Sequence, residues 1–345
     1  MSGTSLDGLD LALCQFTEKQ GSYEHSILKA KTVSYSADWK RVLSELQASG
    51  AESYFKIHHH YGKSIASAIN NFLSNTSEKP MAIASHGHTI FHQPHLGFST
   101  QIGCGATIAA NTGITTVCDL RSLDVALNGQ GAPLVPIGDK LLFGQYKSCL
   151  NLGGIANISF DDKAGKRLAF DICVTNMALN YFAQRLGKNY DENGDMAKQG
   201  SCDQKLLTTL NNLSFYNTKH PKSIGREWFE INMLPLLLNA GITEKIILNT
   251  LVEHISEQIA KILNENNLNN VLITGGGAFN TFLISKLKEK YKGEIIVPDA
   301  QTINFKEALI FAFLGLLRLE NKTNTLNSVT GAKRNSIAGA VYLGS

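Results

Sequence analysis

Cys149-Leu150-Asn151-Leu152-Gly153-Gly154-Ile155-Ala156-Asn157-Ile158-Ser159-Phe160 reads as a strand, a glycine turn and a second strand, and Arg167 to Cys173 follows as a third to pair with it. Helical periods come next, at about Asn176 to Leu186, Asp203 to Leu213 and Thr243 to Asn264. A buried strand, Asn270 to Thr274, runs into Gly275-Gly276-Gly277 and a helix from about Asn280 to Tyr291. Strand Glu294 to Pro298 and a strongly apolar helix, Phe305 to Leu319, complete the run.

The same order already occurs upstream. Gly8 to Phe16 alternates Leu9, Leu11 and Leu13 on one face, and a second strand spans Ser26 to Tyr35. Helical patterns follow at Ala37 to Ser49 and about Tyr54 to Phe72, then strands at Met81 to Ser85, Thr89 to His92, Ser99 to Ile102 and Thr115 to Asp119. Strands first, then alternation, twice over, predicts two α/β units with mixed sheets. No residue-level repeat is visible, so the duplication is one of topology. Gly129-Gln130-Gly131-Ala132-Pro133 lies between the halves and is the candidate hinge. The expected domains are 1–125 with 320–345, and 126–319.

At about 150 residues per domain, 345 residues also suggest two domains. A net charge of 32 − 29 = +3, spread along the chain, is no electrostatic footprint for nucleic acid. Charged residues at 18% and hydrophobic ones at 43% exclude charge-driven disorder. The six cysteines form no CxxC pair and read as reduced thiols of an intracellular protein. Ala308 to Leu317 is too short to span a bilayer, and the N-terminus has no signal-peptide pattern. The expectation is a cytoplasmic protein with no membrane partner; a homodimer stays open.

Three glycine-rich turns sit beside strands. Ser2-Gly3-Thr4-Ser5-Leu6-Asp7-Gly8-Leu9-Asp10 offers close backbone approach and hydroxyl donors to an anion. Asp7 and Asp10 would repel a phosphate unless a divalent cation bridges them, as in a Mg–nucleotide site. An ordinary Ser/Gly/Asp turn explains the composition as well. Asn151 to Asn157 is equally a bland hairpin turn or a second phosphate clamp. Gly275 to Gly277, between an apolar strand and a helix, suits a nucleotide lying against backbone. It lacks GxGxxG, and no P-loop occurs. Together the three favour ATP held between two domains.

Cys118-Asp119-Leu120-Arg121-Ser122-Leu123-Asp124 places two carboxylates just past a strand end. An Asp near Arg121 stays ionised, as a general base must. Asp119 is the better helix cap and Asp124 the better candidate for chemistry. His86, His88, His92 and His95 read as structural or substrate-contacting, since no Asp or Glu lies between Met81 and Gln101. His58-His59-His60 on a helix points three ways.

These segments, with Gly87-His88-Thr89-Ile90-Phe91-His92-Gln93-Pro94, Gly129 to Pro136, Pro221-Lys222-Ser223-Ile224-Gly225-Arg226-Glu227, Gly275 to Asn280 and Ser328-Val329-Thr330-Gly331-Ala332, resemble the 1,6-anhydro-N-acetylmuramic acid kinases. They occur in family order over essentially the whole chain. The family is part of the sugar kinase, heat-shock chaperone and actin superfamily. The resemblance implies two RNase H-like domains closing over ATP and a sugar. It implies that Gly3, Thr4, Ser5, Leu6, Asp7, Gly8, Leu9 and Asp10 form the first phosphate loop, with Mg²⁺ at Asp7. Gly153, Gly154, Gly275, Gly276 and Gly277 would hold phosphate and adenosine. Asp124, with Asp119 beside it, becomes the catalytic carboxylate, and His88, Gln130, Asp171, Asn176 and Glu307 become sugar contacts.

The implied reaction hydrolyses the anhydro bond and phosphorylates O6, giving N-acetylmuramic acid 6-phosphate and ADP in peptidoglycan recycling. Three departures stand out. The family's Asp-Thr-Gly-Pro-Gly-Asn loop is here Asp171-Ile172-Cys173-Val174-Thr175-Asn176, so the loop must be shaped differently. Its Gly-Gly-Gln-Gly is Asn128-Gly129-Gln130-Gly131. Members also carry an apolar strand ahead of Met-Ser-Gly-Thr-Ser, so a missing first strand and an exposed sheet edge are expected. The competing readings are a kinase for another anhydro sugar such as levoglucosan, and a non-catalytic chaperone- or actin-like ATP binder. Retention of both Asp119 and Asp124 favours an enzyme.

Overall fold

Strand β1 (Gly8–Lys19) buries Leu9, Leu11 and Leu13, the alternation written in its sequence, and pairs antiparallel with β2 (Ser22–Ser34) from Gly8↔Ser34 to Lys19↔Ser22. The computed structural model describes residues 1–3 and 6–344, so Thr4 and Ser5 of the predicted phosphate loop lie outside it. The chain packs as two units, Met1–Leu142 with Phe305–Ser345, and Phe143–Asn304. Gly129–Pro133 therefore lies inside the first unit, and the chain leaves that unit after Leu142.

In the first unit, α1 (Ala37–Glu45) is capped by Ser36, whose side chain accepts from the Trp39 amide. Helix α2 (Ala51–Leu73) lays Tyr61, Ile65, Ile69 and Phe72 on the three leucines of β1. Strands β3 (Ile83–Ala84) and β6 (Thr116–Cys118) run parallel, and β12 (Ala340–Tyr342) joins β6 antiparallel. Strands β4 (His88–Gln93) and β5 (Phe98–Ile102) form a separate hairpin. Helices α3 (Gly105–Thr112), α4 (Ser122–Ala126) and α5 (Val135–Leu142) complete this part. Among the described residues, the second edge of β1 carries a short start of a ladder. Ser2 bridges Leu9, the Met1 amino group donates to the Asp10 carbonyl at 2.7 Å, and the Asp10 amide donates back to Met1 at 2.8 Å. A cavity of about 190 Å³, lined by Leu11, Leu13, Ile65, Ile83 and Phe311 among others, lies against β1 and β3. Paired on one side only, the strand expected over Met81 to Ser85 contracts to two residues.

The second unit builds one mixed five-stranded sheet. Strands β7 (Ser148–Leu152), β8 (Ile155–Asp161) and β9 (Arg167–Val174) are antiparallel neighbours. Strand β10 (Asn270–Thr274) lies parallel to β7, and β11 (Glu294–Ile296) parallel to β10, giving the order β11-β10-β7-β8-β9. Helix α6 (Asn176–Arg185) and the helix Glu244–Glu265 bury Leu179, Phe182, Leu248, Leu251 and Ile255 in the core with Leu150 and Ile158. The protein is thus α/β with mixed sheets, as its strand order predicts.

Candidate active site

Strand β6 ends at Cys118, and the next residue, Asp119, turns the chain with φ 52°. Its exposed carboxylate accepts from the Ser122 hydroxyl at 2.5 Å and the Ser122 amide at 3.4 Å, so it braces the entry to α4. Asp124, one turn further, is completely buried. Its Oδ2 accepts from the Gly131 amide at 2.8 Å and its Oδ1 from the Thr330 hydroxyl at 2.7 Å. Its carbonyl accepts from the amides of Leu127 and Gly129. A buried carboxylate held by two donors keeps its orientation, a property a general base needs.

Arg121 brackets the same loop. Its Nε and Nη2 both point at His86 Nε2, at 3.0 and 2.9 Å, and its Nη1 donates to the Gly131 carbonyl at 2.6 Å. His86 Nε2 accepts from a cation, so the ring is neutral and its Nδ1–H donates to the Gly87 carbonyl. Burial, then the Arg121 charge, holds the His86 imidazole well below its usual range. Burial also draws Arg121 down to about 10, against the opposing pull of Glu307 and Asp124. Glu307, on the helix Ala300–Leu319, is exposed to solvent, yet the protein atoms crowded around it raise its carboxyl, opposed first by Arg121.

The described part of the N-terminal loop meets this group. Ser2 Oγ shares a 2.8 Å hydrogen bond with Nδ1 of the buried His88 and accepts from Tyr35 at 2.7 Å. Gly3 and Asp7 are exposed, and Leu6 takes φ 56°. Gly8 and Leu9 open β1, with Leu9 in the core, and Asp10 Oδ1 accepts from Thr32 at 2.6 Å. The Gln130 amide donates to the Thr330 carbonyl at 2.8 Å while its side chain stays exposed. Among the described residues no group of three His, Cys, Asp or Glu could hold a metal ion by itself. Magnesium arriving on nucleotide phosphates needs only one or two carboxylates, and the carboxylate of Asp7 is exposed.

The second unit gathers the other glycines. The Gly153 carbonyl accepts from Thr175 Oγ1 at 2.6 Å and the Asn176 amide at 3.2 Å, and the Gly154 carbonyl from the Thr175 amide at 2.9 Å. Asn176 Nδ2 donates to the Leu152 carbonyl at 3.0 Å. Gly275, with φ 82°, packs so tightly that a Cβ would lie 2.5 Å from Asn151 Oδ1 and 2.9 Å from the Leu152 carbonyl oxygen. Gly153, Gly154, Asn176, Gly275 and Gly277 thus form one cradle of backbone and amide groups. Asp171 stands apart from it, accepting from Ser223 Oγ at 2.7 Å and the Ile224 amide at 3.0 Å. Burial raises its carboxyl, against those two bonds. The departure at 171–176 has a plain structural form. Ile172, Cys173 and Val174 continue β9 as buried strand residues, and only Thr175 separates the strand from α6.

Thr330 and the Arg121–His86 pair carry more of this geometry than the sequence suggested. Arg121 could have been read from its place between two aspartates. Thr330 lies in the motif of residues 328–332, but its contact with Asp124, 206 positions away, has no local signal.

A family profile described as anhydro-N-acetylmuramic acid kinase matches residues 1–344. An anhydro-N-acetylmuramic acid kinase of Coxiella burnetii is 35% identical over 100% of this chain and 96% of the relative. One from Hydrogenovibrio crunogenus is 36% identical over 99% of this chain and 96% of its own length. Among solved structures, the activator of the 2-hydroxyisocaproyl-CoA dehydratase from Clostridium difficile with bound ADPNP covers 90% of this chain and 97% of its own, at 14% identity and a TM-score of 0.42. That likeness is too loose to carry the fold assignment, which rests on the sheets themselves. No helix among the described residues is long and apolar enough to cross a membrane.

Proposed function

The chain belongs to the anhydro-N-acetylmuramic acid kinase family, and from that premise we propose that it opens the 1,6-anhydro ring with water and phosphorylates the freed O6 from ATP, with Asp124 as general base. The buried Asp124 carboxylate, fixed by Gly131 and Thr330 within a chain that matches the family end to end, carries this reading. Asp124 takes a proton from water as the water oxygen bonds to C1 and the C1–O6 bond breaks. O6 then attacks the γ-phosphorus and ADP leaves, giving the 6-phosphate. Asp119 braces the turn beside the base.

The glycine-rich segment Gly3 to Asp10, with Gly3 and Asp7 exposed, suits the phosphates, and the cradle of Gly153, Gly154 and Gly275 to Gly277 suits the rest of the nucleotide. Mg²⁺ carried by ATP would be held at Asp7 and neutralises phosphate charge when bound. His88, Gln130, Asp171, Asn176 and Glu307 are assigned as sugar contacts, and Asp171 also accepts from Ser223 and Ile224. A cytoplasmic place in peptidoglycan recycling belongs to the same proposal.

One assay tests it: ATP consumption with 1,6-anhydro-N-acetylmuramic acid, levoglucosan and glucose side by side, with the sugar phosphate identified. Turnover confined to the muramic sugar is expected. Turnover with levoglucosan instead would reassign the substrate, and none with any sugar would sink the kinase reading.

A further inference from the structure

Residues 327–333 are stitched to the loop 124–131 by three hydrogen bonds. Thr330 Oγ1 donates to Asp124 Oδ1 at 2.7 Å, the Gln130 amide donates to the Thr330 carbonyl at 2.8 Å, and the Lys333 amide donates to the Leu127 carbonyl at 3.0 Å. Thr330 is buried and ends the short helix Asn327–Thr330, where Gly331 at φ 77° closes the turn. Its hydroxyl has one proton. The alternative acceptor, the Leu326 carbonyl, is farther away at 3.3 Å and uncharged. The shorter contact is the stronger hydrogen bond, so the proton goes to Asp124.

From this geometry we propose that Thr330 is a positioning residue for the reaction: its hydroxyl aims the Asp124 carboxylate while its carbonyl sets the backbone of Gln130. The inference rests on Asp124 being the base. Gly131 fixes one carboxylate oxygen, and a single donor leaves the plane free to rotate about the Cβ–Cγ bond. Thr330 fixes the other oxygen and removes that freedom. A base a fraction of an ångström out of line loses rate while the substrate still binds. The Gln130 bond uses main-chain atoms, so it survives side-chain substitution and separates the two roles of Thr330.

The test compares Thr330→Val, which has nearly the same shape without a donor, with Thr330→Ser, which keeps the donor. Thr330→Val is expected to lower kcat about 10- to 100-fold with the sugar KM within about threefold of wild type, and Thr330→Ser to restore kcat to within about threefold. Should Thr330→Val fail to fold, Thr330→Cys, with a weaker donor, is expected to give an intermediate kcat against Thr330→Ser. Wild-type kcat in Thr330→Val, or equal loss in the serine variant, would overturn the proposal. Asp124→Asn runs in parallel. Turnover retained there overturns the base assignment and this inference together, whereas loss there beside a normal Thr330→Val overturns this inference alone.

Discussion

Gly129 has no room for a side chain because the Asp124 carboxylate occupies it: a Cβ there would overlap Oδ2, lie 2.7 Å from Cγ and lie 2.8 Å from the Ala332 Cβ. Gly129 is not at positive φ, so its constraint is contact with the carboxylate, not backbone conformation. Gly129→Ala is therefore expected to push Asp124 off its two donors and lower kcat about 100-fold or more, with a stability loss of about 1–3 kcal/mol from overpacking. Steady-state kinetics beside urea denaturation check it. Unchanged kcat with reduced stability would show that the loop absorbs the methyl without moving the base.

Arg121 ties His86 to the Gly131 carbonyl through three nitrogens of one rigid fork. Lysine keeps the charge but cannot span both partners. Arg121→Lys is expected to cost about 1–3 kcal/mol, since the Gly131 carbonyl or His86 Nε2 loses its donor in a crowded site. The urea midpoint reads this, and a variant as stable as wild type would mean that water replaces the fork.

Much of this is legible in the sequence. β10 has the bounds its apolar run suggested, and the alternation of Leu9, Leu11 and Leu13 marked the buried face of β1. Asp119 was legible as the helix cap, and it does accept from the Ser122 amide and hydroxyl. Several elements escaped, three of them for readable reasons. Helix α3 is written in small residues, Ala106, Thr107, Ala109 and Ala110, which show no strong apolar stripe. Helix α5 is masked by Pro133 and Pro136, although proline is tolerated in a first turn. β12 is three residues long and exists only by pairing with β6. Thr330 stayed hidden for a similar reason: its role is a contact across 206 positions, and periodicity reports only neighbours.

Gly276 and Gly277 separate stability from ligand binding within one triplet. A Cβ on Gly277 would lie 2.7 Å from the Leu152 Cβ and 3.1 Å from the Leu152 carbonyl oxygen, whereas one on Gly276 meets nothing closer than Asn176 Nδ2 at 3.8 Å. Gly277→Ala is expected to lower the melting temperature. Gly276→Ala should leave it unchanged and yet weaken a non-hydrolysable ATP analogue several-fold in calorimetric titration, if the open side of the triplet faces the nucleotide. Normal affinity in Gly276→Ala would move the nucleotide away from this turn.

His254 gives the second unit a dependence on pH. It is fully buried in the helix Glu244–Glu265, with Nδ1–H donating to Asn211 Oδ1 at 2.7 Å and Nε2 2.9 Å from the Tyr216 hydroxyl. Both ring nitrogens are thus used by the neutral form. Burial pushes the imidazole down from 6.5 to about 3. The unfolded chain takes up a proton below about 6.5 while the folded one does not until about 3, so unfolding binds the extra proton in that window. The contribution of His254 is therefore complete above 6.5 and is lost as pH falls toward 3, by up to about 1.4 kcal/mol per pH unit. His254→Gln cannot titrate. The slope of stability against pH, measured by urea unfolding between pH 7 and about 4, is expected to be shallower in that variant even if its stability at neutral pH is lower. Equal slopes would assign the acid sensitivity to carboxylates elsewhere and leave His254 a purely neutral strut between Asn211 and Tyr216.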